Sequence, residues 1–386
     1  MMELDLEREN QATGIRIKIL GVGGAGGNVI NTMIENSING VEFISAHTNI
    51  NNFKNSRAKI KLQLGKETTK GLGTGAKPEL GALAAEESRE AIKEILQDAN
   101  LLIITAGMGG GTGTGAAPII ASVAKELEIL TIAIVTKPFR REGKKRLANA
   151  EKGIQELTEI VDTIIVIPNE KINELFADLT LIDAFNKVNN IIYEAAKAIS
   201  DIITYAGYIS VDYADIKTIM SNRGFALMGT GIAEGENRAE EAAKAAMSNP
   251  LLKDLIMKNA KGILINITAS KELKMSEFDK INEIITEETG DDGDIIIGTI
   301  IDDGMEEKIK VTLIATGLQL PGGRIQEIEK MRKSGNLNEE NIDEALERIR
   351  ISENLDLQKK AEPEHNHKPK MSSPTEIPAF MRKFSN

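Results

Sequence analysis

The sequence predicts an α/β protein with a parallel-sheet first domain, a long central helix and a smaller second α/β domain. Three observations carry that expectation. Short, nearly continuous apolar runs alternate with amphipathic segments from Ile15 to Pro168. Glycine-rich loops follow several of these runs. One stripe of apolar side chains then repeats at steps of three and four from Leu181 to Ile202.

Strands buried on both faces read as unbroken apolar runs, and crossover helices make such sheets parallel. "IRIKILGV" (15–22), "VEFISA" (41–46) and "IKLQL" (60–64) are the first three predicted strands. A helix through "NVINTMIEN" follows the first. Pro78–Asp98 has helical spacing, and Pro78 suits a first turn. "LLIITAG" (101–107), "LTIAIVT" (130–136) and "TIIVIP" (163–168) are further strands with helices between them. The stripe Leu181, Phe185, Val188, Ile192, Ala195, Ile199 and Ile202 predicts one long helix. Four strands are predicted from "GFALMGTGIA" (224–233), "GILINITA" (262–269), "DIIIGTI" (294–300) and "KIKVTLIAT" (308–316). Helices near Arg238–Ser248 and Met275–Glu288 interrupt them. The predicted organisation is a disordered tail (1–13), a first domain (14–180), the central helix (181–205), a second domain (206–317), a variable linker (318–373) and a terminal peptide (374–386). The linker is charged and polar, which is the composition of a disordered segment; a helix over 325–352 is its one candidate element.

Composition narrows the chemistry. The chain has 386 residues, 41% of them apolar, and no cysteine. Disulfides, thiolate metal sites and cysteine nucleophiles are therefore excluded. Its three histidines are His47, His365 and His367, too few for a serine–histidine triad or a histidine metal cage in the folded body. A net charge of -11 and the absence of tryptophan disfavour nucleic acid. No membrane span or secretory signal is expected.

The glycine loops are the chemical signal. "GVGGAGGN" (21–28), "KGLGTGAKP" (70–78) and "GGGTGTG" (109–115) each lie before a predicted helix. Glycine lets backbone N–H groups approach a ligand, and a helix N-terminus adds unpaired donors with partial positive charge. Such a start is a phosphate cradle. Gly21, Gly23 and Gly26 also spell the dinucleotide fingerprint, but "SAHTN" carries no carboxylate at the tip of the second strand. A nicotinamide-dependent oxidoreductase would need neither that departure nor the other two loops. No P-loop motif occurs. The loops point to one crevice holding a phosphate chain.

Together, "GGGTGTG", "GVGGAGGN", "TKGLGTGAKPE", "TKPF…EGKKR" and "VDYADI" resemble the FtsZ family, the bacterial tubulin-like GTPases of cell division. The likeness runs from Ile15 to Gly317 and resumes at "EIPAFMRK". It implies a tubulin/FtsZ-like fold and GTP or GDP as ligand, with Mg²⁺ and K⁺ as candidate companion ions. Gly23, Gly24, Ala25, Gly26, Gly27 and Asn28 are implied at the phosphates and base side, and Gly73, Thr74 and Gly75 near the terminal phosphate. Gly110, Gly111, Thr112, Gly113 and Thr114 are implied around the phosphate chain. Thr136, Glu142 and Arg146 are implied at ribose and phosphate, Phe185 on the guanine face and Asn189 at its edge. Asp212 and Asp215 are implied to act on the nucleotide of the next subunit, so that hydrolysis requires head-to-tail assembly. Glu376, Ile377, Pro378, Ala379, Phe380, Met381, Arg382 and Lys383 are implied to bind membrane-attached division proteins at the mid-cell ring of the cytoplasm.

The residues alone leave alternatives open. "RREGKKR" also fits a solvated basic face, and Asp212 and Asp215 also fit simple helix capping. Four positions depart from the family pattern: His47, Asn49, Lys77 and Ser210. They leave room for a filament protein that binds GTP and turns it over slowly.

Overall fold

Every position of β1 (Ile17–Val22) is buried, so this strand needs cover on both faces and a neighbour on each side. Its neighbours are β2 (Val41–His47) and β4 (Leu101–Gly107), both parallel to it. The structure is a computed structural model that describes residues 14–175, 179–204, 211–222, 224–248, 260–289 and 293–318. The predicted tails, the 325–352 helix, Ser210 and the terminal peptide lie outside the described residues.

The remaining strands are β3 (Ile60–Gln63), β5 (Leu130–Lys137), β6 (Thr163–Pro168), β7 (Phe225–Glu234), β8 (Gly262–Ala269), β9 (Asp294–Ile301) and β10 (Lys308–Leu318). All ten form one sheet in the order β3-β2-β1-β4-β5-β6-β7-β10-β8-β9. From β3 to β7 every pairing is parallel. β10 runs antiparallel to both β7 and β8. The later strands thus extend the first sheet, through a short joint that pairs Ile164 with Phe225 and Ile165 with Ala226.

Strand order reverses between β1 and β4. The chain leaves β1 toward β2 and β3, then returns to build outward from β4. A crevice beyond the C-terminal ends of these strands is the expected ligand site in such a sheet.

The faces are covered by α1 (Gly23–Glu35), α2 (Lys66–Thr69), α3 (Pro78–Glu87), α4 (Arg89–Leu96), α5 (Thr112–Glu126), α6 (Lys144–Thr158), α7 (Asn169–Leu175), α8 (Leu181–Thr204), α9 (Tyr213–Met220), α10 (Arg238–Met247) and α11 (Met275–Thr289). Alternation sorts the strand side chains. Leu20 and Val22 pack with Ile92, Ile120 and Leu157 of α4, α5 and α6. Ile17 and Ile19 pack with Met33, Ile192 and Ile199 of α1 and α8. A third cluster joins α10 and α11 to β8 and β10.

The structure revises two expectations of local structure and adds two short helices. Pro78–Asp98 is two helices, broken at Ser88, whose backbone leaves the helical region and whose hydroxyl accepts from the Gly65 N–H at 2.9 Å. The loop after β1 is itself the first turn of α1, because a helix needs no separate linker where glycine removes the Cβ clash. α7 and α9 are too short to show a periodicity.

α8 is the longest described helix, at 24 residues or roughly 36 Å. Its Phe185–Ile192 stretch lies at the C-terminal ends of the strands. Its last residue, Thr204, packs beside Gly40, just ahead of β2; a Cβ on Gly40 would come within 2.8 Å of Thr204 Cγ2. Among the described residues no helix is long and apolar enough to cross a membrane.

α3 and α5 meet backbone to backbone. A Cβ on Gly115 would collide with Pro78 O, and one on Gly81 with Gly111 O. Overpacking at such contacts costs about 1–3 kcal/mol. Gly115→Ala is therefore expected to lose at least about 2 kcal/mol of stability in a denaturant titration, whereas Gly75→Ala, which meets nothing within 4 Å but has φ of 56°, loses less.

Candidate nucleotide site

Two helices begin directly at the strand ends. α1 starts at Gly23 straight after β1, and α5 starts at Thr112, with four residues between it and the end of β4. Neither N-terminus is capped by a side chain, and neither first turn holds an acidic residue. Their N–H donors and positive dipole ends are free to meet an anion. α6, which begins at Lys144 behind Gly143, is uncapped in the same way.

These starts surround a cavity of about 390 Å³, a size suited to a small-molecule ligand. Thirteen residues singled out in the sequence line it: Gly23, Gly24, Ala25, Thr74, Gly110, Gly111, Thr112, Gly113, Thr136, Glu142, Arg146, Phe185 and Asn189. Segments separated by up to 166 residues in sequence (Gly23 to Asn189) thus meet in one crevice.

Thr74 and Thr112 form the polar floor, and Thr48 backs them in a hydroxyl cluster. Thr48 Oγ1 and Thr112 Oγ1 lie 2.6 Å apart, and Thr74 Oγ1 lies 3.4 Å from Thr112 Oγ1. Arg146 pairs with Glu142, the one carboxylate among the described residues that line the cavity, which also accepts from the Phe139 N–H at 3.0 Å. The far wall is apolar, built from Phe185, Val188, Ile192 and Pro138. Phe139 meets the Phe185 ring edge-on, with centroids 5.8 Å apart, and steadies this half-exposed aromatic. Phosphate chemistry at one end and a flat apolar slot at the other match a nucleotide.

Six of the sequence candidates lie outside the lining. Gly26 is a packing glycine, since a Cβ there would strike Thr105 O. Gly27 packs against the His47 ring. Asn28 is exposed and its carbonyl accepts from Thr32 Oγ1 at 3.2 Å. Thr114 braces the loop from inside, accepting from the Gly109 N–H at 2.8 Å. Gly73 and Gly75 take positive φ, 89° and 56°, and shape the turn that carries Thr74.

Two lining residues carry no sequence signal. Thr105 and Asn169 are buried, and Thr105 Oγ1 and Asn169 Oδ1 have no hydrogen-bond partner among the described residues. Buried polar atoms left unsatisfied are rare, and these two belong to residues of the cavity wall. A threonine inside an apolar strand and an asparagine after a proline give no motif from which to find them.

The departing residues have clear places. Asn49 Oδ1 accepts from the Asn51 N–H at 2.9 Å and caps a short turn. Lys77 is the exposed N-cap residue of α3. His47 is 2% exposed, with Nε2 2.8 Å from Ser45 Oγ and Nδ1 3.4 Å from the Asn52 amide nitrogen. Burial lowers its pKa to about 4. Among the described residues no group of three His, Cys, Asp or Glu converges as a metal cage.

Asp212 and Asp215 are elsewhere. Asp212 occupies the N-cap of α9, yet its side chain makes no capping bond, and Asp215 is exposed in the first turn. Between them, Tyr213 Oη donates to Asn100 O at 2.7 Å. Asn100 precedes β4, whose other end reaches the cavity. Seven strand residues at about 3.3 Å each put roughly 20 Å between the two ends. The acid pair and the cavity sit at opposite poles of the sheet.

A nucleotide crevice walled by glycine-built helix starts, without a P-loop and backed by a long central helix, defines a nucleotide-binding protein of the tubulin type. Comparison with known proteins agrees. The Tubulin/FtsZ family GTPase domain matches residues 16–177, and the FtsZ family C-terminal domain matches residues 224–319. The chain is 44% identical to the cell division protein FtsZ of Coxiella burnetii, over 97% of this chain and 98% of that one. It is 49% identical to that of Pseudomonas aeruginosa, over 84% and 82%. The solved FtsZ dimer of M. jannaschii is 38% identical, with a TM-score of 0.76 over 82% of this chain and 92% of that one. The chain belongs to the FtsZ family of cell-division GTPases. GTP and GDP are accordingly its nucleotides.

The buried histidine makes stability depend on pH. Its unfolded value is near 6.5 and its folded value about 4, so the unfolded chain takes up a proton that the folded chain resists. Stability is full above 6.5 and falls as pH drops toward 4, by up to about 3 kcal/mol. His47→Asn is expected to flatten that portion of the curve, measured by urea unfolding at a series of pH values.

Proposed function

We propose that this protein assembles head to tail and hydrolyses GTP where two copies meet. The carrying observation is the separation of the cavity from the exposed acid pair. The cavity's own carboxylate, Glu142, is bound to Arg146 and the Phe139 N–H, so it is poorly placed to take a proton from water. Asp212 and Asp215 are exposed at the opposite pole.

In this reading the guanine lies against Phe185 and Asn189 reads its edge. Thr136 and Glu142 face the ribose. The phosphates lie over the first turns of α1 and α5, with Gly110–Gly113 and Thr74 toward the terminal phosphate. Arg146 supplies a fixed cation for phosphate oxygens. The next copy brings Asp212 and Asp215 against the open end of the cleft. They orient a water and accept its proton while its oxygen bonds to the γ-phosphorus. The bond from that phosphorus to the bridging oxygen breaks, leaving GDP and inorganic phosphate.

Mg²⁺ keeps several of its waters and is usually held by substrate phosphates with few protein ligands, which suits a cleft without a dedicated cage. The Thr74 and Thr112 hydroxyls would be the protein oxygens available to it. Bound there, Mg²⁺ would neutralise phosphate charge; K⁺ is a further candidate. The interface is heterologous, so repeated contacts give filaments instead of closed dimers. The terminal "EIPAFMRK" is proposed as a tethered peptide that folds on membrane-attached division proteins. That places the protein in the cytoplasm at the mid-cell ring.

Phosphate release per subunit is expected to be negligible below a threshold protein concentration and to rise above it. Release strictly proportional to concentration would defeat the shared site. Asp212→Ala should bind GTP normally and lose at least about 100-fold in turnover. Deleting 374–386 should leave assembly and turnover unchanged while abolishing capture by partner proteins in pull-down.

A further inference from the structure

We propose that His47 is a positioning residue, a neutral wedge beneath the first phosphate loop that sets the angle of the α1 N-terminus. Three contacts support it. A Cβ on Gly27 would lie 2.8 Å from His47 Cε1 and 2.9 Å from Nε2, so the ring fills the space that any other residue at 27 would need. The Asn52 amide nitrogen, 3.4 Å from His47 Nδ1, also stands 4.0 Å from where a Gly24 Cβ would project. Phe53 closes the other side of the ring, edge-on at 5.1 Å.

Both ring nitrogens are engaged, which fixes the orientation. An amide nitrogen can only donate, so Nδ1 accepts from Asn52 and Nε2 carries the proton, donating to Ser45 Oγ. The ring thereby packs under Gly27, and its partner Asn52 reaches toward Gly24, without the ring touching the cavity itself. Ser45 and His47 sit at the tip of β2, so the strand sets the height of the helix start through one side chain. The missing Cβ at Gly27 belongs to this packing and not to ligand approach.

The consequence is a matched pair. His47→Ala leaves α1 unsupported, and Gly27→Ala forces the ring aside; each shifts N–H donors by a fraction of an ångström. Both variants together remove the clash that Gly27→Ala creates alone and put a methyl group into part of the vacated space, since with the ring gone the nearest atom to a Cβ at 27 is Ser45 Oγ at 3.6 Å.

The test is a double-variant cycle on the full chain, read by GDP dissociation constant, GTP turnover above the assembly threshold, and melting temperature without nucleotide. Each single variant is expected to weaken GDP binding by about tenfold or more, raising KM while leaving kcat at saturating GTP nearly unchanged. The double variant should recover most of the affinity. His47→Asn replaces the alanine variant in the cycle if the latter fails to fold. Wild-type affinity in His47→Ala, or a double variant weaker than both singles, overturns the proposal. So does an affinity loss explained entirely by a lower melting temperature. The inference rests on the phosphates meeting α1. Failure of the wild-type chain to bind GDP would remove that premise, whereas tight wild-type binding with an unaffected His47 variant sinks this inference alone.

Discussion

Close approach of bare backbone is the constraint on which the molecule depends. At Gly26 the α1 backbone presses on the Thr105 carbonyl of β4, and at Gly113 the α5 backbone presses on the Gly107 carbonyl. α3 seats against α5 through Gly81 and Gly115. A single methyl group at any of these points would push a helix start away from the strand ends. Two helix N-termini then could not share one crevice. The glycines that look like ligand contacts are therefore of two kinds: some leave room for a ligand, and others leave room for a neighbouring turn.

Polarity follows from the same packing. A parallel sheet gathers helix N-termini at its carboxyl edge, where their donors favour anions. Its opposite edge collects the loops that enter the strands, and the start of α9 lies there, tied by Tyr213 to Asn100. Asp98, which holds Lys18 and Arg16, and Asp212 belong to that second edge. One end of the molecule thus suits phosphate, and the other presents carboxylates, with β4 and α8 running between them.

Most of the architecture was legible in the sequence because buried parallel strands write themselves as apolar runs. The long stripe of α8 was equally plain. What escaped notice had local or shared causes. Ser88 ends a helix through one hydroxyl bond to Gly65, which no periodicity records. α9 is eight residues long, and its importance lies in which end of the sheet it reaches. At the site, the glycine loops announced phosphate, yet Thr105 and Asn169 were silent, since they act singly from distant segments. His47 read only as a departure from the family pattern; its actual place, wedged under Gly27, depends on a residue twenty positions back in the chain and is invisible without coordinates.

Placing an open cleft at one pole and its complement at the other has an arithmetic consequence. In a row of n copies built as proposed, n − 1 clefts are finished and one stays uncovered. A pair therefore shares a single working centre, and the yield per molecule climbs with row length toward a ceiling. The copy at the uncovered end keeps its triphosphate longest, so every row carries a chemically distinct tip that records which way it points.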